Sequence, residues 1–135
     1  MFSSGYAEIV LIVGDVRVAA EFYRNVVGLI PESPVDEAWA WFWVGEPGVG
    51  ARLALHKGTL LFEEHSPYPA GQRWGRVHYA LRVERGRLDA AVEHVRSAGV
   101  PVYGPIRFEA MRAVSYYFYD PDGNLLEWWS PDAEA

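Results

Sequence analysis

The chain contains no cysteine, which excludes a disulfide framework, a thiolate nucleophile and any thiolate metal site. A metal, if one is bound, must be held by His, Asp or Glu. Lysine is nearly missing as well: Lys57 stands alone and the arginines are scattered. With a formal charge of -6, the chain lacks the clustered cations that neutralise phosphates, so nucleic acid is not expected as a partner. No apolar run is long enough to span a bilayer. The N-terminal "YAEIVLIV" (6–13) is short and has neither a basic flank nor a small-residue cleavage site. The expectation is a soluble, cytoplasmic protein with no membrane partner. Also missing are a nucleophile beside a base, a glycine loop that cradles phosphate and a zinc-protease helix motif.

Rings are what the chain has in abundance, with six Trp, eight Tyr and six Phe in 135 residues. Aromatics combine large buried areas with polar tips that want partners, which predicts a pocket or interface lined by rings. The length suits one domain, or two small modules sharing a core.

The pattern along the chain favours two modules. "EIVLIVGD" (8–15) reads as a strand, and Asp15 then caps a helix through about Val27. Its apolar positions Val16, Ala19, Ala20, Tyr23, Val26 and Val27 share one face, and Gly28 stops it. The second half repeats this grammar. "HYALRV" (78–83) is a strand, followed by a helix from about Arg87 to Ala98 with Leu88, Ala91, Val92 and Val95 inward and Gly99 as its stop. "WFWVGEPG" (41–48) resembles "YYFYDPDG" (116–123), and strands leave both turns as "ARLALH" (51–56) and "NLLEWW" (124–129). An edge segment near Leu29 to Ser33, or Val102 to Ile106, completes each β-α-β-β-β unit. One helix cannot cover several strands alone, so two such units are expected to pack together, within one chain or between chains. Module one spans about 5–65 and module two about 75–131. "TLLFEEHS" (59–66) reads as a further strand without a counterpart, leaving open whether the first module's last strand is 51–56 or 59–64. "SPYPAGQRWG" (66–75) reads as the connector.

Aligning the first strands puts Glu8 opposite His78. In a sheet pair with local twofold symmetry those two places can meet. The third candidate is Glu127 in "DPDGNLLEWW" (120–129), a carboxylate among apolar and aromatic neighbours that has to be paired or metal-bound. One imidazole and two carboxylates suit a divalent metal with open positions. Two carboxylates converging in a low-dielectric pocket push one of them to protonate unless a cation sits between them, either the metal or protonated His78. His56, Glu63, Glu64 and His65 form a secondary local group, His94 lies on the outer face of the second helix, and Trp39, Trp41 and Trp43 share one strand face, read by default as core.

Three stretches carry a family resemblance: "EIVLIVGDVRVAAEFYRNVVGL", "HYALRV" and, most specifically, "YFYDPDGNLLEWW". On these the chain resembles the vicinal oxygen chelate superfamily, which includes glyoxalase I, extradiol dioxygenases, fosfomycin-resistance transferases and bleomycin-resistance proteins. The resemblance implies an α+β fold of two tandem βαβββ modules, curled mixed sheets around a central cleft, commonly as a homodimer. It implies one divalent metal ion (Zn, Ni, Mn or Fe) on Glu8, His78 and Glu127, Glu8 standing where His or Gln is more usual. Glu8 and Glu127 are then the catalytic carboxylates, one of them detaching to serve as base. Trp41, Arg112 and Tyr117 are assigned to the substrate pocket wall. The fourth ligand position falls near Arg52 to Ala54, which offers no ligand, or near Glu63. The implied activity is a metal-dependent lyase, isomerase, transferase or dioxygenase that binds two neighbouring oxygens of a small molecule. The alternative is a metal-free protein of the bleomycin-resistance kind that sequesters an aromatic or cationic compound.

Overall fold

The computed structural model describes residues 1–59, 65–67 and 76–133. It divides into two compact units, Met1–Arg73 and Trp74–Ala135.

In the first unit, β1 (Glu8–Val13) leads into α1 (Val16–Phe22), as its β-branched run and the Asp15 cap dictate. The Asp15 carboxylate accepts from the backbone N–H groups of Arg17 at 3.0 Å and Val18 at 3.1 Å. The helix does not continue as α-helix to Val27. Residues Tyr23–Val27 form a wider π-type turn, closed by the Gly28 N–H on the Tyr23 carbonyl, with Gly28 left-handed at φ 83°. Each π-type turn takes up about one extra residue, which rotates the apolar face. Phe22 is therefore buried and Val26 only half-buried, the reverse of a pure 3.6-residue pattern.

Strands β2 (Ile30–Pro31), β3 (Trp39–Trp43) and β4 (Arg52–Lys57) complete a four-stranded sheet in the order β1-β4-β3-β2. β4 runs parallel to β1 and antiparallel to β3. Among the described residues 52–57 is thus the first unit's last strand, in register Val10 to Ala54 to Trp41. The stretch 60–64, the core of the rival reading, and most of the connector lie outside the described residues. Alternation sends Leu11, Val13, Ala40, Phe42, Leu53 and Leu55 to one face, where they are buried, and α1 packs on β3 and β4.

The second unit repeats the plan. β5 (His78–Arg82), a short 3-10 turn (Arg85–Arg87) and α2 (Leu88–Ser97) precede β6 (Tyr103–Phe108), β7 (Ala113–Tyr119) and β8 (Leu125–Pro131). The sheet order is β5-β8-β7-β6, with β8 parallel to β5 and antiparallel to β7. Leu88, Val92 and Val95 of α2 are buried, and so are Phe118, Leu126 and Trp128 of the sheet. The chain is therefore α+β, two tandem modules each with one helix on a mixed sheet. Among the described residues no helix is long and apolar enough to cross a membrane.

The ladders correct one detail of the repeat. Trp41 pairs with Ala54, and Tyr117 pairs with Glu127, so Trp41 corresponds to Tyr117 and not to Tyr116. The one-residue offset arises because pairing is set by the hydrogen-bonded ladder, whereas the turns that follow, 44–51 and 120–124, differ in length.

Candidate functional site

The turn between β7 and β8 fixes the second unit's site. The Asp120 carboxylate accepts from the backbone N–H of Asp122 at 2.9 Å and of Asn124 at 2.8 Å, and the Asn124 side-chain amide donates to it at 2.8 Å. The Asn124 side-chain oxygen accepts from the Val77 N–H at 3.0 Å, and the Leu125 N–H donates to the Val77 carbonyl at 2.9 Å. Asn124 thereby ties the head of β5 to the head of β8. His78 then falls opposite Leu125 and Ala80 opposite Glu127. Ala80 presents only a methyl group beside Glu127, so the longer His78 ring reaches over to the carboxylate.

His78 Nδ1 lies 3.2 Å from the Leu125 carbonyl, and His78 Nε2 lies 3.2 Å from Glu127 Oε1. A carbonyl only accepts, so Nδ1 donates there. In the neutral ring, Nε2 then turns its lone pair toward a carboxylate oxygen, and a proton or a cation must lie between the two acceptors. The His78 side chain is 51% exposed and Glu127 only 8%, so the imidazole forms the solvent side of the pair. Ser115, fully buried, donates its hydroxyl to Glu127 Oε2 at 2.5 Å. Tyr117 is the ladder partner of Glu127; burial, and then the negative charge of Glu127, push its phenol up from its ordinary range. The Tyr117 ring lies 6.0 Å from that of His78. Sequence reasoning missed Ser115. The available signal was the period of two in "AVSYYFY", which puts Ser115 and Tyr117 on one face.

In the first unit Glu8 is exposed at the head of β1, and the Trp41 indole N–H donates to its Oε2 at 3.2 Å. Arg52, directly opposite Glu8, turns instead to Glu32 at 3.1 and 3.3 Å and lies over the Trp43 ring at 6.0 Å. Ala54 stands where the second unit has Glu127, so the fourth ligand position carries a methyl group. Trp39 and Trp41 stack at 4.8 Å with planes 6° apart, and Trp39 packs on His56 at 4.0 Å. The three tryptophans are half-buried on the sheet face away from α1. They lie outside the helix-covered core of the unit.

Arg112 sits in the β6–β7 turn with a left-handed φ of 50°, and its side chain is 80% exposed. It lies 3.9 Å from Asp132, a carboxylate held by Arg107 at 2.6 and 2.9 Å and by Arg85 at 3.0 Å. These hydrogen bonds, Arg107's first, hold Asp132 down to about 2. The interactions of Arg112 are thus with the end of β8. Glu63 and Glu64 lie outside the described residues; His65 and His94 are exposed.

Among the described residues of either unit, no group of three His, Asp or Glu side chains suited to a metal occurs. The His78–Glu127 pair nonetheless fits two donors of one small divalent cation. Ligand bonds of about 2.0–2.2 Å at tetrahedral or octahedral angles put neighbouring donor atoms roughly 2.8–3.6 Å apart, and a ligating His commonly donates its other N–H to a backbone carbonyl.

The chain matches the family model described as Glyoxalase/Bleomycin resistance protein/Dioxygenase superfamily over residues 5–128. It is similar to the metallothiol transferase FosB of Shouchella clausii, 30% identical over 118 residues, or 85% of this chain and 72% of that protein. It is similar also to the glutathione transferase FosA of Serratia marcescens, 26% identical over 117 residues, 87% and 74% of the two chains. Among solved structures, a protein from the mobile metagenome of V. Pseudocholerae superposes with a TM-score of 0.74 at 29% identity, covering 98% of both chains.

Proposed function

Because the chain belongs to the Glyoxalase/Bleomycin resistance protein/Dioxygenase superfamily, we propose that it is a metal-dependent enzyme that acts on a small molecule with two neighbouring oxygens. His78 and Glu127 are the principal donors and Glu8, at the equivalent strand head, is the third. The observation that carries this reading is the 3.2 Å approach of His78 Nε2 to Glu127 Oε1, with Nδ1 committed to the Leu125 carbonyl. The names of the two relatives, a metallothiol transferase and a glutathione transferase, support group transfer among the superfamily's chemistries.

A bound divalent cation supplies Lewis acidity to oxygens that gain negative charge. The chain's own contributions are distinct. Ser115 and Tyr117 hold Glu127, the Leu125 carbonyl holds the His78 tautomer, and Trp41 holds Glu8. Glu8, the more exposed carboxylate, is the one suited to take a substrate proton.

The test is calorimetry and thermal melting of chelator-treated wild type and His78→Ala with manganese, zinc, nickel and ferrous iron. Binding by wild type that is lost in His78→Ala supports the reading; absence of binding by all four ions removes it. A second reading, sequestration of a planar or cationic aromatic without metal, draws on the stacked Trp39, Trp41 and His56 rings. It is tested by quenching of tryptophan fluorescence with an aromatic cation in the presence of chelator, with Trp39→Ala as the control.

A further inference from the structure

The two oxygens of Glu127 live in different surroundings. Oε2 is the acceptor of the fully buried Ser115 hydroxyl, and Tyr117 stands directly across the ladder from the same residue. Oε1 faces His78 Nε2. β7 creates this difference: Ser115 and Tyr117 lie two residues apart on one face, and Tyr117 is the direct ladder partner of Glu127. The first unit repeats the device at the equivalent ladder position, where the Trp41 indole N–H occupies Oε2 of Glu8. In each unit an aromatic residue from the third strand therefore engages the candidate carboxylate, by different chemistry.

We infer that Ser115 and Tyr117 are positioning residues for Glu127, the Ser115 hydroxyl occupying Oε2 and Tyr117 bracing the same carboxylate from its ladder partner position, so that Oε1 is left as the single coordinating atom and the site selects small divalent cations against calcium. This rests on the metal-dependent reading above. A carboxylate limited to one oxygen serves a cation with few, short bonds. Calcium takes six to eight oxygens at longer distances and gains from bidentate carboxylates. Freeing Oε2 lets Glu127 turn and present both oxygens.

The experiment measures manganese and calcium affinities by calorimetry for the full-length wild type, Ser115→Ala and Tyr117→Phe, all stripped with chelator. The expected result is that wild type prefers manganese and that the manganese-to-calcium affinity ratio falls about tenfold or more in each variant, in line with the effect of removing the outer support of a metal ligand. A merely structural defect weakens both ions alike and leaves the ratio unchanged. An unchanged ratio, whatever the absolute affinities, overturns the inference while leaving the metal reading intact. Wild type that binds neither ion overturns the inference, and the metal reading falls with it only if zinc, nickel and ferrous iron also fail to bind. Tyr117→Phe keeps the ring and remains the decisive variant should Ser115→Ala fail to fold.

Discussion

At the scale of single residues, the heaviest concentration of charge lies around Asp132 and not around the candidate site. Arg107 grips both its oxygens and Arg85 adds a third bond. Its carboxyl is lowered from 3.8 to about 2, so the folded chain binds that proton less readily than the unfolded chain does. The stabilisation is complete above the unfolded value and is lost as pH falls from about 4 toward about 2. In urea titrations across this window, the wild-type midpoint should fall more steeply with acid than that of Asp132→Asn. Equal slopes would show that the cluster contributes nothing through this group. The position is open to solvent, so the effect is expected to be small and to shrink in high salt.

At the scale of elements, the turn Asp120 to Asn124 does most to bring the site together. Asn124 satisfies a β5 N–H and an Asp120 oxygen at once, coupling two strands whose sequence separation is large. Asn124→Ala leaves the Val77 N–H without its acceptor, and a part-buried unsatisfied donor costs about 1–3 kcal/mol. Urea unfolding should record that loss, and manganese affinity should fall with it, because the β5–β8 register sets His78 against Glu127. Full affinity with lost stability would mean that the ladder alone holds the register. "DPDGN" was legible in the sequence as a turn, since proline, aspartate and glycine each favour one. Its bond to Val77, 47 residues away, was not, because nothing in local composition reports a long-range partner. The π-type turn at Tyr23–Val27 escaped for a related reason: its residues have ordinary helical propensity, and the widened turn arises in the folded unit.

At the scale of the whole molecule, two small units each bury one helix against one sheet, with Phe42 and Phe118 fully enclosed in their respective cores. A cation that binds only the folded state stabilises it by about 2.7 kcal/mol at a hundredfold excess over Kd. The melting temperature of wild type should therefore rise with added metal, and that of His78→Ala should stay flat.

The sequence by itself determined the two β-α-β-β-β units, the Asp15 cap of the first helix, the glycine stops of both, and the correspondence of Glu8 with His78. These follow from local chemistry: side-chain period, an aspartate ahead of a helix, a glycine at positive φ. Only the tertiary structure decided that β4 is 52–57 with Ala54 opposite Trp41, that Ser115 lies under Glu127, and that Arg112 turns to Asp132. Those facts depend on strand register. Register is chosen by the summed pairing and burial of a whole sheet, and a shift of one residue sends each side chain to the opposite face.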